Sequence, residues 1–204
     1  MKINPDDLQP HVFYRYLVQV ITPRPIAWVS TISPGGVTNI APFSFFNGVG
    51  ANPPSVVFSP VNNRHGEKKD TLKNIEANGQ FVVNVVSRTL AELMNQSAYE
   101  YGYEVSEFEQ AGIATTESER IAPPRVAASP VAMECELIQV VTVGEGPLGA
   151  NLVIGRIVMM HFADGVCNAE GVVDPAALDT VGRMGGADYS TTRDRFEMPR
   201  PSGP

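Results

Sequence analysis

At 204 residues the chain has the length of one domain, and 43% hydrophobic with 18% charged residues is the composition of a folded protein that needs no disulfide or metal. A formal charge of -7 argues against nucleic acid or an anionic membrane surface as the main partner, while a small anion can still bind locally. No run of about 18 apolar residues is present to span a bilayer, and MKINPDDLQP lacks the order of a signal peptide, so the cytoplasm is the expected compartment.

Residues 1 to 20 carry no assignable motif and are expected to form a peripheral arm. From Ile26 to Ile32 the run IAWVSTI is β-branched and aromatic, Ser33-Pro34-Gly35-Gly36 supplies a turn, and VTNIAPFSFF resumes an extended pattern, which predicts a hairpin. Asn52-Pro53-Pro54 breaks the chain before SVVFS, a third strand. A helix is predicted after Asp70 as N-cap, with Leu72, Ile75 and Glu76 at helical spacing and Gly79 ending it. FVVNVV reads as a buried strand, and Ser87 is placed to cap a second helix, RTLAELMNQSA. Tyr99 to Pro130 reads as a connection with short helical pieces. VAMECELIQVVTVG and LVIGRIVMMHFAD are too β-branched for helices and predict a second hairpin, after which the chain turns irregular and residues 183 to 204 form a second peripheral arm. About seven strands with inserted rather than alternating helices predict a mainly β fold, a β-barrel, over a doubly wound sheet.

Several motifs have a structural explanation that outweighs the chemical one. Gly144-Glu145-Gly146-Pro147-Leu148-Gly149 matches the dinucleotide fingerprint literally, but Pro147 and the strand pattern that follows make it a hairpin loop. Cys135, Cys167, His11, His65 and His161 show no metal spacing, and no nucleophile elbow occurs. Glu134 and Glu136 share one face of a strand, the pattern of a solvated edge. More informative are Arg64, Lys68, Lys69 and Lys73, four of the chain's 15 basic residues within ten positions. They crowd the N-terminal side of the predicted helix, where the macrodipole is already positive and cations are disfavoured. An anionic ligand resolves that mismatch, and a helix N-terminus flanked by Lys69 and the Thr71 hydroxyl is a natural phosphate site, although Asp70 competes for the same N–H groups as a cap.

Several segments in order resemble the flavin reductase-like family: Arg24 to Thr31 (RPIAWVST), Asn39 to Asn47 (NIAPFSFFN), Lys69-Asp70-Thr71, Phe81 to Asn84, Gly155 to Val158 leading to His161, and Arg183 to Gly186 leading to Tyr189. The resemblance implies one FMN-binding domain over residues 1 to 204, folded as an antiparallel FMN-binding split barrel. It implies that Trp28, Val29, Ser30 and Thr31 border the flavin ring or ribityl chain, that Ala41, Pro42, Phe43 and Ser44 present backbone groups to the ring, and that Asn47 lies near the ribityl side. Lys69 and Thr71 would hold the phosphate, with Arg64 as an additional contact. It further implies a homodimer with Tyr189 and Arg193 near the ring or packed across the dimer, NAD(P)H as electron donor, and a possible partner oxygenase as acceptor. His161 is the candidate to orient the nicotinamide, or else sits in a hydrogen-bonded core. The competing expectation is an FMN-binding or electron-relay protein without a nicotinamide site.

Overall fold

The computed structural model describes residues 1 to 201 and 203. A 3-10 turn (Pro5–Asp7) and helix α1 (Pro10–Val20) precede strands β1 (Ala27–Ile32), β2 (Thr38–Phe43), β3 (Phe46–Ala51) and β4 (Pro54–Phe58). Helix α2 (Asp70–Asn78), β5 (Gln80–Val85), a 3-10 turn (Arg88–Leu90), α3 (Ala91–Gln96) and α4 (Glu107–Gln110) follow. Short strands β6 (Thr115–Thr116) and β7 (Arg125–Val126) lead into the long hairpin of β8 (Val131–Val143) and β9 (Ala150–Phe162), and α5 (Pro175–Leu178), β10 (Val181–Arg183) and β11 (Tyr189–Thr191) complete the fold.

The main sheet has the order β2-β1-β5-β8-β9-β4-β3 and every pairing in it is antiparallel. β2 and β3 therefore lie at opposite edges, although only Ser44 and Phe45 separate them in the chain. Three Cα steps from Phe43 to Phe46 reach at most about 11 Å, whereas the edges of a flat sheet of this order would stand about 29 Å apart. The sheet must curl until its edges approach without pairing. That is an antiparallel split barrel, the architecture expected from the sequence.

The barrel interior is filled by Val29, Phe58, Phe81, Val83 and Val153, and α2 packs into it through Leu72 and Ile75. Burying each such side chain contributes on the order of 1.5–3 kcal/mol. Phe58 and Phe81 meet edge-on, with ring centroids 5.4 Å apart. Gly155 makes room for that pair, since a Cβ there would lie 2.3 Å from Phe81 Cζ. A second core forms on the outer face of β1 and β2, where Trp28 and Ile40 pack with Leu90, Met94 and Phe108. Trp28 Nε1 donates to Ser97 Oγ at 2.9 Å, tying α3 to the sheet.

Several local expectations are corrected. Lys69, not Asp70, is the N-cap of α2 and gives no side-chain cap; the Asp70 carboxylate takes Lys73 instead, at 2.8 Å. Ser87 precedes a 3-10 turn and bonds Thr89 rather than capping a backbone N–H. VTNIAPFSFF is broken at Ser44-Phe45, where the chain leaves one sheet edge for the other. Glu134 is 0% exposed although it shares a face of β8 with exposed Glu136, because the connection covers that face at Glu134 alone and the backbone N–H groups of Glu119 and Arg120 close over its carboxylate. Of the two expected arms, the first holds α1 and the second contributes β11, paired to β10. The Gly-rich stretch before β9 is the predicted hairpin loop, with Gly144 and Gly146 at positive φ. Among the described residues, no helix is long and apolar enough to cross a membrane.

Candidate functional site

A cleft of about 370 Å³ opens between edge strand β2, the start of α2 and residues 97 to 107. Ala41, Pro42 and Phe43 form one wall, Lys69 and Thr71 one end, and Tyr101 and Tyr103 the facing side. Because no side chain caps α2, the first-turn N–H groups of Asp70 and Thr71 remain donors at this end. The lysines here are not bare. Lys68 pairs with Glu76 at 2.7 Å, Lys69 with Glu100 at 2.7 Å and Lys73 with Asp70 at 2.8 Å. The excess positive charge inferred from the sequence is thus met by carboxylates of the same chain. The Glu100 carboxyl is held below its ordinary value chiefly by its hydrogen bond to Lys69.

A buried polar network lies behind the cleft. The Glu107 carboxylate accepts from Asn39 Nδ2 at 3.0 and 2.9 Å and from the Ile40 N–H at 3.1 Å. With its amide nitrogen so engaged, Asn39 turns Oδ1 the other way, where it accepts from Thr71 Oγ1 at 2.8 Å and Thr31 Oγ1 at 3.1 Å. Asn74 Nδ2 donates on to Thr31, and Asn74 Oδ1 accepts from the Tyr103 hydroxyl at 2.7 Å. Burial pushes the Glu107 carboxyl up, against the pull of these hydrogen bonds. The Thr71 hydroxyl proton is therefore committed inward, and what Thr71, 1% exposed, has left to offer the cleft is its backbone N–H.

The edge of β2 has a particular polarity. Ile40 turns its N–H outward to Glu107, so by the two-residue alternation of an antiparallel edge Pro42 also faces outward and offers a carbonyl without an N–H. Ile40 is fully buried, so at the cleft the stretch expected to supply donors presents the Pro42 carbonyl as an acceptor. A second, smaller compartment of about 200 Å³ shares Pro42 and Ala98 with the cleft and continues past Ser44 to Tyr189 and Arg183. The two together form one elongated trough.

The trough contains Ala41, Pro42, Phe43, Ser44, Lys69 and Thr71 from the expected set. It does not contain Trp28, Val29, Ser30 or Thr31, which are fully buried because β1 is paired on both sides and covered on both faces. Ser30 Oγ donates to the Pro124 carbonyl from under the connection, and Thr31 belongs to the Asn39 network. Arg64 lies outside the cleft and donates to His65 Nε2. Asn47 is exposed on β3, accepting from the Gly48 N–H. His161 is also outside it; its Nε2 meets Glu134 Oε1 at 2.6 Å, and the buried Glu134 carboxylate, despite desolvation, is held below its ordinary value by Glu119, Arg120 and His161. Tyr189 lines the second compartment, while Arg193 pairs with Asp179 at 2.8 Å. Sequence reasoning missed Asn39, Glu107 and the tyrosine wall. The alternation Tyr99, Tyr101, Tyr103 in a polar connection was the available signal.

A split barrel with a trough that joins an uncapped helix N-terminus and a lysine to a flat apolar strand wall is a scaffold for a phosphorylated planar cofactor. The flavin reductase like domain family matches residues 20–176, and the chain belongs to that family. An uncharacterized protein of Halalkalibacterium halodurans is 38% identical over 99% of this chain and 97% of its own length. Nitrilotriacetate monooxygenase component B from Bacillus cereus superposes with a TM-score of 0.91 at 34% identity, covering 97% of this chain and 98% of its own. Pseudomonas fluorescens 2-nitrobenzoate 2-nitroreductase superposes with a TM-score of 0.89 at 33% identity, covering 99% of this chain and 97% of its own. The chain is accordingly a flavin-related oxidoreductase.

Proposed function

We propose that the chain is an NAD(P)H-dependent flavin reductase that binds FMN along the trough, phosphate at the start of α2 and ring against Pro42 and Phe43. The observation that carries this reading is the uncapped N-terminus of α2 opening, beside Lys69, into a cleft of suitable size. The residues fit the group: Lys69 and the first-turn N–H groups match a phosphate, and the outward carbonyl of Pro42 matches a ring N–H donor. FMN, when bound, would supply the hydride-accepting centre that takes electrons from the nicotinamide and hands them to the acceptor. The chain's own residues position it and exclude water. Lys69 must leave Glu100 to reach the phosphate, Asn39 and Glu107 fix the strand behind the ring, and Tyr101 and Tyr103 screen the open side.

The neighbour named as a monooxygenase component supports a partner oxygenase as acceptor of reduced flavin. A homodimer is supported by the exposed apolar side chains Ile138, Met160 and Phe162 on β8 and β9. The test is spectroscopic. Purified protein reconstituted with FMN should lose its flavin absorbance on anaerobic addition of NADH or NADPH. Retention of the oxidised spectrum with both donors would reject the reductase and leave a flavin carrier.

A further inference from the structure

At the far end of the trough lies a separate cleft of about 340 Å³ lined by Arg15, Arg24 and Arg183 together with Tyr14, Gln19 and Ser44, and by no acidic residue. Among the described residues, none of these three arginines has a carboxylate within 4.0 Å. That is unusual in a chain with 22 acidic against 15 basic residues, and it contrasts with the lysines of the FMN cleft, each of which has a carboxylate partner. Arg24 is 3% exposed and rigidly held: its guanidinium donates to the carbonyls of Val18 and Ile21 at the C-terminus of α1, to Ser44 Oγ and to the Met184 carbonyl. All four acceptors are neutral, so its charge is fixed at the cleft without being cancelled. Arg183 stacks over the Tyr189 ring at 4.4 Å from its centroid and donates to the Gly186 carbonyl, and Arg15 is exposed on α1 with no hydrogen-bond partner among the described residues. Ser44 and Arg183 also line the compartment that continues into the FMN cleft.

We propose that this arginine cleft binds the pyrophosphate of the nicotinamide dinucleotide, with Arg15 and Arg183 as the contacting groups and Arg24 as a fixed positive floor. The inference rests on the reading above that NAD(P)H is the donor. The cleft is larger than a lone carboxylate needs, and guanidinium forks suit phosphate oxygens. Its continuity with the ring compartment lets one ligand place its nicotinamide at the flavin and its phosphates at the arginines.

The test is calorimetric titration of the FMN-loaded protein with ADP-ribose and with inorganic pyrophosphate, alongside steady-state reduction by NADH and NADPH. Arg15→Ala and Arg183→Ala should each weaken ADP-ribose and pyrophosphate binding by about tenfold and raise the KM of both donors similarly. In Arg15→Ala, which lies outside the FMN trough, the dissociation constant of FMN and kcat should stay within about twofold. Arg183→Lys, which keeps the charge and the fold, should regain part of the affinity. Unchanged donor KM and pyrophosphate binding in both alanine variants overturn the inference alone. Loss of FMN affinity in Arg15→Ala instead would assign the cleft to the cofactor, and a selective loss for NADPH would assign it to the 2′-phosphate; either result overturns the pyrophosphate site. A wild-type protein whose FMN neither donor reduces overturns the donor reading and this inference with it.

Discussion

Replacing Glu107 with alanine tests the network behind the cleft. Among the described residues the carboxylate is the only acceptor for the Asn39 amide nitrogen and the outward Ile40 N–H, so truncation leaves two buried donor groups unpaired. Each orphaned donor costs about 1–3 kcal/mol, and relief of a desolvated carboxylate offsets part of this, for a net loss of about 2–4 kcal/mol. For a chain of this length that is a fall of roughly 5–15 °C in Tm. Glu107→Gln keeps one acceptor and should lose about half as much. The pH dependence has a defined sign. Burial raises the folded-state value, so the contribution of Glu107 is fully present below the ordinary carboxylate value of about 4.3 and lost as pH rises through the raised one. The Tm of wild type relative to Glu107→Gln should therefore increase on acidification from pH 7 toward pH 4. Differential scanning calorimetry of the three proteins across that range measures it. An alanine variant within 1 °C of wild type, or a wild-type advantage that shrinks in acid, would refute the network as described.

Lys69→Ala should weaken FMN about tenfold while leaving riboflavin unchanged, since only FMN carries a phosphate, as flavin fluorescence titration will show. Thr71→Val should lower stability by about 1 kcal/mol through loss of the bond to Asn39, yet hold FMN within about twofold because the backbone N–H remains; a large FMN loss would return the phosphate contact to the hydroxyl. Glu100→Gln frees Lys69 from an exposed ion pair of about 0.2–1 kcal/mol and should tighten FMN by up to roughly fivefold, least at high salt. Gly155→Ala sets a methyl against the Phe81 ring and should destabilise the barrel by about 1–3 kcal/mol, read by chemical denaturation.

The sequence carried the barrel well because its strands announce themselves locally: AWVSTI, FVVNV and the long β8–β9 hairpin have no competing periodicity. The order of those strands was not legible, since it depends on β2 and β3 parting to opposite edges after Ser44 and Phe45, a fact about curvature rather than propensity. Helix α1 was missed because it buries no residue and takes its place from Arg24, more than three residues beyond its end, which bonds its last carbonyls. For the candidate site, Lys69 and the start of α2 were legible in the sequence, and the structure places both at one end of the cleft. Ser30 and Thr31 look like ligands in sequence, but pairing on both sides of β1 buries them, and edge strand β2 lines the cleft. Asn39 and Glu107 are 68 positions apart, a separation that no local pattern links.

The placement of charge along the trough follows from the same topology. Lys69 sits at a helix N-terminus, a position that repels cations, and the fold compensates by bringing Glu100 from the connection to meet it. An exposed pair of that kind is worth little, so under the FMN reading proposed above a phosphate at the lysine end need only displace a weak internal partner. Arg24 sits at the opposite kind of helix end, the C-terminus of α1, where the macrodipole favours a cation and no carboxylate is required to keep it there. Helix polarity thus explains both why Lys69 is paired and why Arg24 is not. Any anion entering the trough meets neutralised charge at one end and uncompensated charge at the other. Salt should accordingly weaken donor binding more steeply than FMN binding, because the arginine end has no internal carboxylate whose pairing salt weakens at the same time.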